Sequence, residues 1–338
     1  MKAVALTHYL PIEHADSLLD VILPKPEATG RDLLVKVEAI SVNPVDTKVR
    51  SPKSKFELTP RVLGWDAAGI VEAVGPEVTL FKPGDAVYYA GDITRPGSNA
   101  QFQLVDERIV GHKPASLDFA AAAALPLTAI TAWESLFYRL HISQTGADAG
   151  KTVLIVGGAG GVGSVAIQLA KVLAGLTVIA TAARPESQAW VQKLGADATV
   201  DHRADLVAQV RALGHQYVDY VLCFNNTDQH FAALAELIAP QGTILTIVEN
   251  AQPVPVELLK SKSASYAQEF MFTRAMFKTP DMQAQHQLLQ DVAGLIDAGR
   301  LRATVGEDYG LINAANLKRA HATLEAGQTI GKIVLAGF

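Results

Sequence analysis

The run Val153-Leu154-Ile155-Val156, with Gly157-Gly158-Ala159-Gly160-Gly161-Val162-Gly163 behind it, constrains this chain more than any other stretch. Four consecutive aliphatic residues read as a strand buried on both faces. The glycines fit the spacing G-x-G-x-x-G at Gly158, Gly160 and Gly163. After them Val162, Val165, Ala166, Leu169 and Leu173 recur at the period of one helix face. Strand, glycine turn and helix in that order form a dinucleotide site. Gly158 is expected to make the sharp turn, Gly160 to leave room for a pyrophosphate, and Gly163 to let the helix lie close to the strand. The N–H groups of the loop, including Ala159, Gly161 and Val162, then face the phosphates at the positive end of the helix dipole.

At 338 residues the chain is long enough for two domains. Hydrophobic residues make up 49% and charged residues 19%, the balance of a globular protein rather than a disordered one. The net charge of −5 and a pI near 6.0 leave no basic footprint, so nucleic acid is not expected as a partner. Phe119 to Trp133 is the nearest approach to a membrane span, but it contains Pro126 and reads as too short. The start, Met1-Lys2-Ala3-Val4-Ala5-Leu6, lacks the form of a signal peptide, and a cytoplasmic location is expected. Cys223 is the one cysteine, so the chain can form neither an internal disulfide nor a cysteine-based zinc site.

Residues 1–125 read as short β elements broken by Pro and Gly: Lys2 to Thr7, Leu33 to Val42, Gly69 to Val74, Ala86 to Ala90 and Ala100 to Val105. From Pro126 the texture changes. A helical pattern over Ala129 to Leu140 precedes the glycine loop, and strands then alternate with helices to about residue 272, with Ala264 to Phe272 expected as a sixth strand. That alternation argues for a doubly wound parallel sheet with ligands at the carboxyl ends of its strands. The tail from Thr273 carries a helix over Met282 to Ala298 and a closing strand, Lys332-Ile333-Val334-Leu335, expected to return to the first module. The expected fold is therefore α/β, a Rossmann domain (126–272) inserted in a β-rich catalytic domain (1–125 and 273–338).

An NAD-specific site needs an Asp or Glu where the second strand ends, about twenty residues past the first glycine. Here that end reads Thr181-Ala182-Ala183-Arg184-Pro185-Glu186-Ser187. Thr181, Arg184 and Ser187 suit a ribose 2′-phosphate, which an acidic residue would repel, and NADPH is the expected cofactor.

Gly64-Trp65-Asp66-Ala67-Ala68-Gly69, Lys82-Pro83-Gly84-Asp85-Ala86-Val87, Leu125-Pro126-Leu127-Thr128, the loop Gly158 to Gly163 and the closing Gly331-Lys332-Ile333-Val334-Leu335 together resemble the medium-chain dehydrogenase/reductase superfamily. The resemblance covers essentially the whole chain. It is strongest to the zinc-free quinone oxidoreductase, zeta-crystallin-like, branch, and in particular to proteins labelled zinc-type alcohol dehydrogenase-like. It implies that the β-rich domain is GroES-like. Zinc alcohol dehydrogenases of this superfamily carry a Cys near the segment Ser41 to Thr47 and a His-Glu pair after Gly64; this chain has no Cys there and reads Trp65-Asp66. No metal is expected.

The resemblance implies hydride transfer from NADPH to a small-molecule quinone or α,β-unsaturated carbonyl. Alternatives are a zinc-type alcohol dehydrogenase and, from another class, an NADPH-binding structural or sensing protein with little turnover. It places Asn43 and Asp46 beside the nicotinamide, with Thr128 close by and Trp65 on the ground of the absent zinc; Asn43-Pro44 is equally a turn signal and Asp46 equally a helix cap. Tyr88 is a further candidate facing the substrate. Cofactor contacts are expected from His202, Phe224, Asn225, Val248, Phe270, Phe272 and Lys332, and a homodimer is expected through the last strand of the parallel sheet.

Overall fold

A computed structural model describes all 338 residues, Met1–Phe338. Two compact units divide the chain, one of residues 1–130 with 272–338 and one of residues 131–271. The sequence reading puts the divisions at 125/126 and 272/273, five residues and one residue away from these.

The first unit begins with β1 (Lys2–Tyr9), β2 (Leu19–Ile22), β3 (Asp32–Val42), α1 (Pro44–Arg50), β4 (Lys53–Val62), β5 (Asp66–Val74), β6 (Ala86–Tyr89), β7 (Phe102–Asp106) and β8 (Val110–His112). β1 is flanked by β2 and β4 in a small antiparallel sheet. β4 carries no strand signal in the sequence, being polar and containing Pro60. Both traits suit an edge strand, which is what it is. Phe56, in β4, is 55% exposed and rests on the His8 ring, on the surface of that edge.

Two helices, α2 (Phe119–Ala123) and α3 (Pro126–Trp133), follow, and α3 continues as a π-helical turn through Arg139. The helical run Phe119–Arg139 exceeds the stretch marked in the sequence and passes for a membrane span by length and composition. Buried over 83% of its apolar window, it has the surroundings of a core helix.

The second unit alternates strictly: β9 (Thr152–Val156), α4 (Gly161–Val172), β10 (Thr177–Thr181), α5 (Pro185–Lys193), β11 (Ala198–Val200), α6 (Leu206–Ala212), β12 (Val218–Cys223), α7 (Thr227–Leu237), β13 (Ile238–Thr246) and β14 (Ser265–Gln268). Its six strands are all parallel in the order β11-β10-β9-β12-β13-β14, so the sheet reverses its direction of winding between β9 and β12. Every residue of β9 is buried, as its unbroken aliphatic sequence requires. Each such side chain contributes roughly 1.5–3 kcal/mol on burial, which outweighs any local preference of the chain. β14 stops at Gln268, short of the expected Phe272. Phe270 beyond it is 47% exposed, and Phe272 is buried as the cap of the next helix.

That helix, α8 (Thr273–Phe277), returns the chain to the first unit, followed by α9 (Ala284–Asp297), β15 (Val305–Asp308), α10 (Ala314–Glu325) and β16 (Lys332–Ala336). β16 pairs antiparallel with the end of β3, Ile333 opposite Val42, while β7 pairs with the start of the same strand. The seven-stranded sheet β15-β16-β3-β5-β6-β8, with β7 beside β3, thus completes a GroES-like unit from both ends of the chain.

Candidate functional site

In the second unit the glycine loop divides its duties differently from the expectation. The turn falls at Gly157, whose φ of +82° is left-handed, rather than at Gly158. Gly158 is instead required by β10, since a Cβ there would lie 2.9 Å from that of Ala180. Gly163 does bring α4 against the strand: a Cβ on it would meet the Gly157 carbonyl oxygen at 2.3 Å.

Gly160 differs from these. A Cβ on it would reach the protein only at 3.5 Å, an ordinary contact, so nothing inside the protein demands glycine there. What the missing Cβ keeps open is the face before the N-terminus of α4, where Gly160 is the cap and no side chain bonds the first N–H groups. Ala159, Gly161 and Val162, all half-buried, border that cradle, which fits a pyrophosphate.

The hydroxyls at the end of β10 are occupied. Thr181 Oγ1 accepts from the Gly157 N–H at 3.0 Å and so ties the loop to the next strand. Ser187 Oγ accepts from the Arg184 N–H at 3.1 Å and donates to the Arg184 carbonyl at 2.8 Å, locking the start of α5. Ser187 thus has both its hydrogen and a lone pair engaged by the Arg184 backbone, whereas Thr181 gives Gly157 a lone pair only. Arg184 is half-buried at the cap of α5. The His202 ring sits 6.2 Å from that of His230, its Nδ1 buried without a partner. Phe224 is nearly buried and its N–H continues the β9 ladder to Val156, leaving Asn225 exposed with its Cβ near Gly157. Val248 lies two residues beyond the end of β13.

The first unit holds a second, buried polar centre. Asn43, the cap of α1, donates through Nδ2 to Asp66 Oδ2 at 2.8 Å. Lys332 Nζ donates to the same oxygen at 3.0 Å, to the Val42 carbonyl at 2.9 Å and to Asn43 Oδ1. Asp66 Oδ1 accepts from the Leu127 N–H at 2.8 Å. Asn43, Asp66 and Lys332 are at most 3% exposed. All three hydrogens of the ammonium are spent inside the unit, so Lys332 is not free to hold a cofactor as expected.

Asp46 joins the centre through its cap role, Oδ2 accepting from the Asn43 N–H at 2.7 Å, while Oδ1 has no partner. Complete burial pushes its carboxyl up to about 7, against the opposing pull of the Asn43 N–H and the Lys332 charge. The cap reading of Asp46 is thus met in the structure.

Trp65, fully buried, donates through Nε1 to the Asp92 carbonyl at 3.2 Å and lies edge-on to Phe272 at 6.1 Å. Tyr88 does not face a substrate: its hydroxyl, deep inside, donates to the Leu289 carbonyl at 2.5 Å. The neighbouring Tyr89 is the one whose buried hydroxyl lacks a partner. Thr128 spends its hydroxyl on the carbonyl of Leu125, the residue just before its own helix, at 2.9 Å.

A cleft of about 300 Å³ in the same unit is lined by Arg31, Asp32, Arg95, Asp106, Arg108 and Lys278 among others. Its guanidiniums are already engaged, by Glu107, Asp32 and Asp106 respectively. Nowhere in the chain do three His, Cys, Asp or Glu side chains gather as a metal site.

Residues 29–116 match the family described as alcohol dehydrogenase GroES-like domain, and residues 194–335 the one described as zinc-binding dehydrogenase. The sequence is 47% identical over 312 residues, 92% of either chain, to a zinc-type alcohol dehydrogenase-like protein of Staphylococcus aureus. It is 30% identical to the quinone oxidoreductase of Lama guanicoe, across 99% of this chain and 97% of that one. A crystal structure from Rhizobium etli CFN 42, of a protein named for zinc-dependent alcohol dehydrogenases, shares 54% identity at a TM-score of 0.96, covering 100% and 98% of the two chains. A mycobacterial protein solved with NADPH shares 30% at a TM-score of 0.82, covering 99% of each.

Proposed function

The chain belongs to the medium-chain dehydrogenase/reductase superfamily, and from that premise we propose that it is a metal-independent reductase delivering hydride from NADPH to a quinone or an α,β-unsaturated carbonyl. The observation that carries this reading is the ammonium of Lys332 on Asp66. Both oxygens of that carboxylate are taken, by Leu127, Asn43 and Lys332, and a cation already stands beside it. With Trp65 and Asn43 as its neighbours and no thiolate or imidazole at hand, the donor set does not suit zinc, and no step is derived through a metal.

A quinone or enone asks less of the protein than an alcohol does, because the arriving charge spreads to an oxygen that hydrogen bonds can stabilise. When bound, the nicotinamide supplies the hydride. The chain's part is to hold the pyrophosphate on the amides at the start of α4, over the space that Gly160 leaves, and to meet a 2′-phosphate with Arg184. Asp46, whose carboxyl complete burial pushes up to about 7, can hold a proton beside the buried centre of Asp66 and Lys332. The open edge of the parallel sheet, β14, favours a homodimer joined there, and a monomer in analytical ultracentrifugation at micromolar concentration overturns that part.

Fluorescence titration with NADPH and NADH, beside turnover with a panel of quinones, enones and alcohols in the presence and absence of a chelator, tests the whole. Tighter NADPH binding that Arg184→Ala weakens, with chelator-resistant reduction of a quinone or enone, is the expected result. Stoichiometric zinc with chelator-sensitive alcohol oxidation returns the zinc enzyme to first place. NADPH binding without turnover of any acceptor favours a structural or sensing protein.

A further inference from the structure

We propose that Arg203 is a second specificity-determining cation for the cofactor, presenting its guanidinium to the ribose 2′-phosphate at the end of β10. The inference rests on the NADPH reading above and goes beyond it by adding a residue outside the expected Thr181-Arg184-Ser187 set.

Arg203 follows β11, yet it is fastened to the turn that leaves β10. Its Nη2 donates to the Ala183 carbonyl at 2.8 Å, one residue before Arg184. The Asp201 carboxylate grips the same guanidinium through Nε at 3.0 Å and Nη2 at 2.8 Å. A surface arginine beside an aspartate two residues away is ordinary; one that also crosses to the neighbouring strand end is held in place there. Asp201 is in turn pulled down to about 2 by that arginine, so the pair stays ionised at every working pH. Nη1 makes no hydrogen bond, and the side chain is 62% exposed, so this arm is available to a ligand.

The other groups first expected at this end make contacts within the protein. Thr181 and Ser187 bond the backbone, and His202 turns its ring onto His230. No carboxylate stands between Thr181 and Arg184 to repel a phosphate. Asp201 cancels one positive charge, so Arg203 contributes fixed N–H donors rather than added net charge, and Arg184 supplies the attraction.

The test is binding, read by fluorescence quenching and calorimetry on the full chain with NADPH, NADH and 2′,5′-ADP, the last reporting the adenosine half alone. Arg203→Ala is expected to weaken NADPH and 2′,5′-ADP about tenfold or more, the loss of a charge-assisted hydrogen bond, while NADH changes less than about twofold. Arg203→Lys is expected to recover part of the loss. The salt dependence of 2′,5′-ADP binding should flatten in Arg203→Ala. An equal loss for NADPH and NADH means that Arg203 only shapes the loop and overturns the inference. Unchanged NADPH affinity overturns it as well. Wild-type protein that binds NADH as tightly as NADPH, whatever Arg203→Ala does, overturns the cofactor reading beneath it. A melting temperature for Arg203→Ala within a few degrees of wild type, expected for so exposed a side chain, separates these results from misfolding.

Discussion

Lys332 Nζ and Asp66 Oδ2 meet at 3.0 Å with their side chains 3% and 0% exposed, on two strands, β16 and β5, that flank β3 from opposite sides. Taking two charges out of water is costly, and the pair is tolerated because Asn43, Val42 and Leu127 complete every remaining hydrogen bond. Lys332→Met should therefore cost about 3–5 kcal/mol, most of it the penalty of an uncompensated Asp66 carboxylate. The double substitution Lys332→Met/Asp66→Asn should recover much of that loss, because no charge is then buried. Urea denaturation midpoints decide it: a double variant no more stable than the single one means that the ammonium is not held there for Asp66.

Two buried groups give opposite pH dependences. Asp46 titrates near 7 in the folded chain and near 3.8 when exposed, so the folded state binds the extra proton and stability falls as pH rises from about 4 to about 7. His321, buried beside the Arg50 guanidinium, is pushed down to about 3 from 6.5, so the unfolded state binds the extra proton and stability falls as pH drops from about 6.5 to about 3. Each slope is about 1.4 kcal/mol per pH unit, and the two cancel between roughly pH 4 and 6.5. Wild-type melting temperature should be nearly flat over that window. Asp46→Asn should lose stability on acidification there, and His321→Gln should lose it on alkalinisation. Parallel curves for wild type and both variants would sink the account.

Cys223 ends β12 fully buried, its thiol near the Asn225 carbonyl and Thr227, and burial pushes it up to about 11. At neutral pH almost none is thiolate, the form that reacts. A disulfide reagent should find no thiol over minutes in native protein and one per chain in denaturant. Rapid native reaction would show that the end of β12 opens.

What was legible in the sequence is what local periodicity encodes. The run from Val153 to Leu173 predicts β9, its loop and α4 because burial on both faces, glycine and helical spacing are each short-range requirements. Partnerships across the chain left no such mark. Lys332 is 266 residues from Asp66, and nothing around Gly331-Lys332-Ile333 announces a buried ammonium. Thr181 and Ser187 were visible as hydroxyls at the right strand end, but not that one serves Gly157 and the other its own helix start. Arg203 was invisible for the same reason, since its significance lies in reaching Ala183 just beyond the neighbouring strand. Nor does the sequence announce that Tyr88, a candidate for facing the substrate, is fully buried.

Gly160 and Gly163 look alike in the motif and should behave oppositely on mutation. At Gly160 φ is −72°, ordinary for alanine, and the added Cβ would meet the protein only at 3.5 Å. Gly160→Ala should therefore change stability by less than about 1 kcal/mol, the reduced freedom of the unfolded chain offsetting the weaker cap. Its methyl would stand in the cradle, however, and NADPH affinity should fall by about 1.4 kcal/mol or more, at least tenfold. At Gly163 the added Cβ would lie 2.3 Å from a backbone oxygen, which no rotamer can relieve. Gly163→Ala should displace α4 from β9 and cost stability as overpacked cores do, about 1–3 kcal/mol or more. Thermal melting beside NADPH titration separates the two. A Gly160→Ala protein that keeps both stability and NADPH affinity would mean that the pyrophosphate does not lie over Gly160.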